Sequence, residues 1–309
     1  MPKDQYLRGI ECVKCLINYS LFYSKITNIG IKDVKVVLKY IVDSLADKTF
    51  SEIFFGVNKL LSIITKKDQL NDLRNKVFRK SMILYEKAYA TLDLVKKFGV
   101  ENIISRILLL SIVADDVELM LSTSYWDPYK QAKLLINPPI PSFEQTKILD
   151  HLPYGLKVGL IVGNISSLLI DRLLVEELVK RGIKVNVYAR EEKLLLQASK
   201  DDVLSVFGHL PDLVKIDSVS GKPLFEADNK SELIKITNEN DIIIVKNFID
   251  VESIISNIVY LDPSIASRYL FVLKNKCDYL SGGIFGDQRY IALFGDQFIQ
   301  TISGSISKH

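Results

Sequence analysis

The sequence predicts an α/β protein with a mostly parallel sheet, preceded by an all-helical N-terminal part. From Tyr6 to about Ser124, apolar residues recur at helical spacing. Proline is absent between Lys3 and Asp127 and then crowds into 127–153. After that, short β-rich runs alternate with amphipathic stretches. The expected organisation is a helical subdomain over 1–126, a proline-rich connector over 127–153 and an α/β domain over 154–309.

Helical spacing is clear in Val34, Val37, Leu38, Ile41 and Val42, and again in Ile103, Ile104, Ile107, Leu108 and Val113. Thr27-Asn28-Ile29-Gly30 and Lys97-Phe98-Gly99 read as breaks between helices. Pro138-Pro139-Ile140-Pro141 forbids a long helix in the connector. The run 157–162, a helix over 168–180 and the run 184–188 make a βαβ unit, whose long crossover implies parallel pairing. Further strands are expected at 213–216, 242–245, 269–273 and 291–293. An open sheet of this kind binds ligands at the carboxyl ends of its strands, which places 163–167, 189–192 and 246–250 on one rim.

Composition bounds the function without naming it. The chain is 48% hydrophobic and 25% charged, so it has ample core material. Its net charge of +3 comes from 40 basic and 37 acidic residues spread along the chain, which predicts neither a nucleic-acid nor a membrane partner. Met1-Pro2-Lys3-Asp4 carries charge where a secretory signal has an apolar run, and the later apolar stretches are broken by charge, so a cytoplasmic location is expected. The sequence leaves the oligomeric state open.

Gly163-Asn164-Ile165-Ser166-Ser167 follows a strand and opens a helix. Its N–H groups and two hydroxyls either hold a phosphate at the helix N-terminus or serve as ordinary caps. Lys246, just after the strand 242–245, either meets an anion at the same rim or is solvated. Asp115, Asp116 and Glu118 interrupt an apolar helix expected over 103–121; they are paired, protonated or metal-bound there, unless the helix end turns to solvent. Cys12-Val-Lys-Cys15 has the spacing of half a zinc or redox site. It lacks a second pair, and His151, His209 and His309 show no ligand spacing with it, so both cysteines are expected on one helix, reduced, with their thiols in or beside the core of the helical part. Cys277 is expected in the core.

Several of these features resemble, in order, the metal-dependent damage-control phosphatases first catalogued as domain of unknown function 89 (DUF89). Glu11-Cys12-Val-Lys-Cys15-Leu16 is similar to that family's opening Glu-Cys-x-x-Cys-Leu. The run from Leu160 through Gly163-Asn164 to Leu178 resembles its Asp-Asn-Ala-Gly-Glu signature and the Phe-Asp-x-Leu-Leu-Ile-Glu-Glu-Leu that follows. Val245-Lys246 with Glu252-Ser253 resembles Ser-Lys-Gly-x-x-Asn-Phe-Glu-Ser, and Leu273-Lys-Asn-Lys-Cys277 resembles Leu-Lys-x-Lys-Cys. The resemblance implies a Rossmann-like α/β/α sandwich that holds one divalent cation (Mn, Co, Ni or Mg) through an Asp-Asn pair and a second Asp, with a Lys assisting phosphate binding.

Measured against that pattern, the first Asp is Gly163, the signature Glu is Ser167 and the second metal Asp aligns with Gln197. Asn164 is the surviving metal ligand and Lys246 the surviving catalytic residue, while Asp115 and Glu118 stand where the family has Asn and Asp on a helix. The implied substrate-binding set is Gly163, Asn164, Ser166, Ser167 and Lys246, and the catalytic set is Lys246, Asp115 and Glu118. The leading expectation is a divergent protein that keeps a pocket for phosphate or a small phosphorylated metabolite without metal-dependent hydrolysis, and therefore without a cofactor. One alternative is an active phosphatase of small phosphorylated metabolites in which Asp115, Glu118 and Asn164 make a rearranged metal site, Asp201 being a third carboxylate that could compensate; another is an assembly or regulatory partner with a vestigial pocket. Restoring both carboxylates, Gly163→Asp with Gln197→Asp, is expected to raise divalent-metal affinity.

Overall fold

The computed structural model describes residues 10–121, 126–138, 145–210, 212–220, 222–224, 229–246, 253, 263–274, 290–297 and 300. Helices α1 (Ile10–Ile26), α2 (Ile31–Ser44), α3 (Phe50–Ile64), α4 (Lys67–Lys97) and α5 (Ile103–Ala114) come first. The expected breaks are present: Asn28 takes φ 51° between α1 and α2, and Gly99 takes φ 65° after α4. Thr49 and Glu52 form a reciprocal capping box that starts α3. At Gly56 an added Cβ would lie 1.8 Å from Tyr40 Oη, so glycine on α3 leaves room for the Tyr40 ring of α2.

The single apolar helix expected over 103–121 is two helices. Helix α5 ends at Ala114, the chain turns at Asp115 and Asp116, and the short α6 (Val117–Leu121) follows. Burial explains both halves of this result. Every residue of α5 except Arg106 is buried, so the helix is apolar all round, and it breaks where carboxylates need partners that a straight helix would not reach. Among the described residues the connector holds α7 (Pro128–Ala132) and 3-10 segments at Lys133–Leu135 and Gln145–His151, with no long helix, in keeping with its prolines.

The α/β part comprises β1 (Lys157–Ile161), α8 (Leu168–Lys180), β2 (Lys184–Arg190), α9 (Lys200–Phe207), β3 (Val214–Val219), α10 (Lys230–Glu239), β4 (Ile242–Val245), α11 (Pro263–Ala266), β5 (Tyr269–Lys274) and β6 (Tyr290–Phe294). The sheet order is β3-β2-β1-β4-β5-β6. All pairings are parallel except β5 with β6. Strand order reverses between β1 and β4, which are neighbours with Ile161 opposite Val245. Their carboxyl ends therefore flank the crevice where an open parallel sheet takes ligands. After Lys157, β1 is buried at every position, because helices cover both faces of its sheet. Helix α8 packs against β2 on one side and against α4 and α5 on the other, so the N-terminal helices and the sheet share one contiguous core. Among the described residues, no helix is long and apolar enough to cross a membrane.

Candidate functional site

Four elements bring polar groups to the β1–β4 crevice: the turn after β1, the end of β4, the start of α8 and the end of α5. Lys246 is the first residue after β4, and its backbone N–H reaches Ile161 O of β1 at 3.4 Å. Its ammonium turns inward, donating to Asp171 Oδ1 at 2.5 Å and to Ser167 Oγ at 3.0 Å. The Lys246 and Asp171 side chains are 1% and 0% exposed, so this is a fully buried ion pair. Ser111 Oγ of α5 also donates to Asp171 Oδ1.

Asp115, at the C-terminus of α5, completes the cluster. Its Oδ1 accepts from Asn164 N at 2.7 Å and lies 2.9 Å from Ser167 Oγ. The Asn164 side-chain amide donates to Asp115 O at 3.0 Å and lies 3.3 Å from Asp115 Oδ2. Ser167 has one hydroxyl hydrogen for Asp115 and Asp171 Oδ2, the latter at 3.2 Å, while its oxygen accepts from Lys246. Burial raises the Asp115 carboxyl above its ordinary range, and the nearby charge of Asp171 adds to this; Lys246, the Asn164 N–H and the Ser167 hydroxyl oppose it.

Gly163 explains how Asp115 fits. A Cβ built on residue 163 would lie 2.4 Å from Asp115 Oδ1 and 2.8 Å from its Cγ. The carboxylate from α5 thus occupies the volume where any side chain on the sheet turn would begin. A carboxylate introduced by Gly163→Asp would therefore stand directly against that of Asp115. Gln197 sits across from Asn164 in an isolated antiparallel bridge and is buried, with its side-chain oxygen unpartnered.

The remaining sequence candidates divide. Ser166 is fully buried beside the cluster, and its hydroxyl has no partner. Asp116 is buried but pairs with Lys274 at the end of β5. Asp201, in the first turn of α9, is exposed and pairs at 3.7 Å with Lys193, so its carboxylate is engaged at the surface rather than in the cluster. The Glu118 backbone belongs to α6, while its side chain lies outside the described residues, as do Cys277, Glu252 and His309. Cys12 is buried and Cys15 half-buried on α1, both against the core.

Sequence reasoning missed Asp171, Ser111 and Arg74. Asp171 had a legible signal, since it shares the buried face of α8 with Leu168, Leu174 and Leu178, where a carboxylate requires a partner.

Among the described residues the donor set is a poor fit for a hard divalent cation, because its two carboxylates, Asp115 and Asp171, are already engaged by hydrogen bonds and by Lys246. Such ions take several anionic oxygens, whereas here Asn164 and Gln197 offer neutral amides. Asp115 already accepts internal hydrogen bonds, and the ammonium of Lys246 lies in the same cluster. Among the described residues, no group of three or more His, Cys, Asp or Glu side chains is arranged to hold a metal ion.

Fold and crevice together define a Rossmann-like α/β protein whose polar groups converge at the switch point of its sheet. A solved structure with the same fold is that of a DUF89 family protein from Pyrococcus horikoshii, with a TM-score of 0.66 at 17% identity over 93% of this chain and 99% of that one. The fold implied by the sequence resemblance is therefore the fold observed. No family model matches the sequence. No curated protein matches it either.

Proposed function

We propose that this chain is a non-hydrolysing protein built on the damage-control-phosphatase fold, acting as an assembly or regulatory partner rather than by turnover. One observation carries the reading: the Asp115 carboxylate fills the space next to Gly163 and is held there by Asn164 and Ser167. Asp115, Asn164, Ser167, Lys246 and Asp171 therefore satisfy one another. Lys246, which would meet a phosphate in a catalytic site, is buried against Asp171. A phosphoryl group approaching the cluster would meet two carboxylates and one ammonium, a poor setting for stabilising developing negative charge.

A second reading, binding of phosphate or a small phosphorylated metabolite, is supported by Ser166. Its buried, unpartnered hydroxyl lies in the turn that opens α8, where helix N–H groups favour an anion. Metal analysis of the purified protein, with hydrolysis assays on sugar phosphates and p-nitrophenyl phosphate across Mn, Co, Ni and Mg, tests the first reading. It expects no cation-dependent turnover; robust turnover abolished by Asp115→Asn would overturn it. Calorimetric titration with inorganic phosphate decides the second reading, which requires binding that Ser166→Ala weakens.

A further inference from the structure

The turn between β2 and α9, residues 191–199, is held more tightly than a connection requires. Leu195 is fully buried yet has φ 46°, a left-handed conformation that a side chain with a Cβ adopts only when its surroundings impose it. Those surroundings are two N-terminal helices. Leu195 N donates to Ser62 Oγ of α3 at 2.6 Å, and Arg74 Nη1 of α4 donates to Leu195 O at 2.7 Å and to Gln197 O at 3.2 Å. Arg74 is itself buried and reaches Asp202 Oδ2 at 2.5 Å, the same oxygen that accepts from Ser199 N at 2.8 Å to cap α9.

On its other side the turn is zipped to the crevice rim. Ile165 N donates to Leu196 O at 2.9 Å and Ala198 N to Gly163 O at 3.0 Å, on either side of the Asn164–Gln197 bridge. Between these bonds lies the buried, unpartnered Gln197 Oε1. A left-handed leucine and an unmet acceptor in one short turn both disfavour the closed geometry locally. Arg74 and Ser62 supply what holds it closed.

We propose that the turn is a latch: Arg74 and Ser62 hold it shut against the β1 rim, and its release separates Gln197 from Asn164 while the sheet stays folded. Opening would break the Ile165 and Ala198 bonds but leave the β1–β2 ladder from Lys157–Lys184 to Ile161–Tyr188 intact. It would also couple the packing of α4 to access at the crevice, since Arg74 spans the two. The latch does not depend on whether the crevice turns substrate over, and its test reads opening rather than activity.

Amide hydrogen exchange on the intact protein provides that test. In the unaltered chain, the Ile165 and Ala198 amides should exchange at least about 10-fold faster than the Val162 amide, which bonds to Tyr188 O in the sheet. Arg74→Met should widen that ratio by roughly another 10-fold, with partial recovery in Arg74→Lys. Ser62→Ala should widen it as well. Equal exchange of Ile165, Ala198 and Val162 in the unaltered chain would overturn the latch, as would a uniform rise at all three in both Arg74→Met and Ser62→Ala. If Arg74→Met does not fold, the unaltered chain and Ser62→Ala still decide.

Discussion

Asp115 and Gly163 share one volume: the carboxylate of the first stands 2.4 Å from where the second would carry a Cβ. The carboxylate at the end of β1 thus comes from a helix of the N-terminal part rather than from the sheet turn, and glycine at 163 is the condition for it. Gly163→Ala should lower stability by about 1–3 kcal/mol, the usual cost of forcing extra volume into a packed site. Adding Asp115→Ala should make the pair less damaging than the sum of the singles, with a coupling of roughly 1 kcal/mol or more. Urea unfolding of the four proteins measures this. Additive losses would mean that the two residues do not compete for space.

Lys246 and Asp171 form the other half of the cluster, buried with no access to water to screen them. Lys246→Met should cost on the order of 3–5 kcal/mol, because it leaves Asp171 an uncompensated buried charge beside Asp115. Lys246→Met with Asp171→Leu should recover most of that loss, since a buried pair contributes little net stability against apolar groups of similar size. Equilibrium unfolding at neutral pH compares the single and double variants.

Much of this arrangement was legible in the sequence. The strand and helix periodicities located β1, α8, β2 and β4, and strand-end logic placed Asn164 and Lys246 on one rim, where Ser167 and Asp115 now link them. What could not be read was which residue fills which space. Gly163 in place of a family Asp looks like a loss until the approach of α5 is known, because spacing along the chain says nothing about a carboxylate arriving from 48 positions earlier. Arg74 was hidden for the same reason. It lies on the buried face of a helix rich in solvated charges, and only the tertiary fold sets it against the carbonyls of Leu195 and Gln197.

Asp150 anchors the helix that delivers Asp115. Its carboxylate accepts from Ile104 N at 2.8 Å, Ser105 N at 3.1 Å and Ser105 Oγ at 2.6 Å, capping α5 from outside the helix where Asn102 gives no side-chain cap. Asp150→Ala should lower stability by about 1–2 kcal/mol through loss of these bonds and of the negative charge at the helix N-terminus. Asp150→Asn should lose less. Thermal unfolding separates the two variants, and equal losses would show that charge alone stabilises this helix end.

The raised carboxyl of Asp115 gives stability a distinctive pH dependence. Its ordinary value is 3.8, and burial moves the folded-state value upward, so between those two values the folded chain holds a proton that the unfolded chain has released. Stability falls with rising pH wherever the native state binds more protons. The contribution of Asp115 is therefore fully present below 3.8 and is lost as pH climbs through the raised folded-state value. Glu177, held down by Lys180 and Lys96 despite its own burial, works in the opposite sense and loses its contribution as pH falls below 4.5. The prediction must therefore be read as a difference between proteins. Asp115→Asn keeps an oxygen to accept from Asn164 N and removes the titration, so its stability relative to the unaltered chain should rise as pH increases from about 4 towards neutrality. Urea unfolding of both proteins at closely spaced pH values gives that difference directly. A constant difference across the range would mean that Asp115 titrates alike in the folded and unfolded chains, and that the cluster at the end of β1 does not hold its carboxyl away from water.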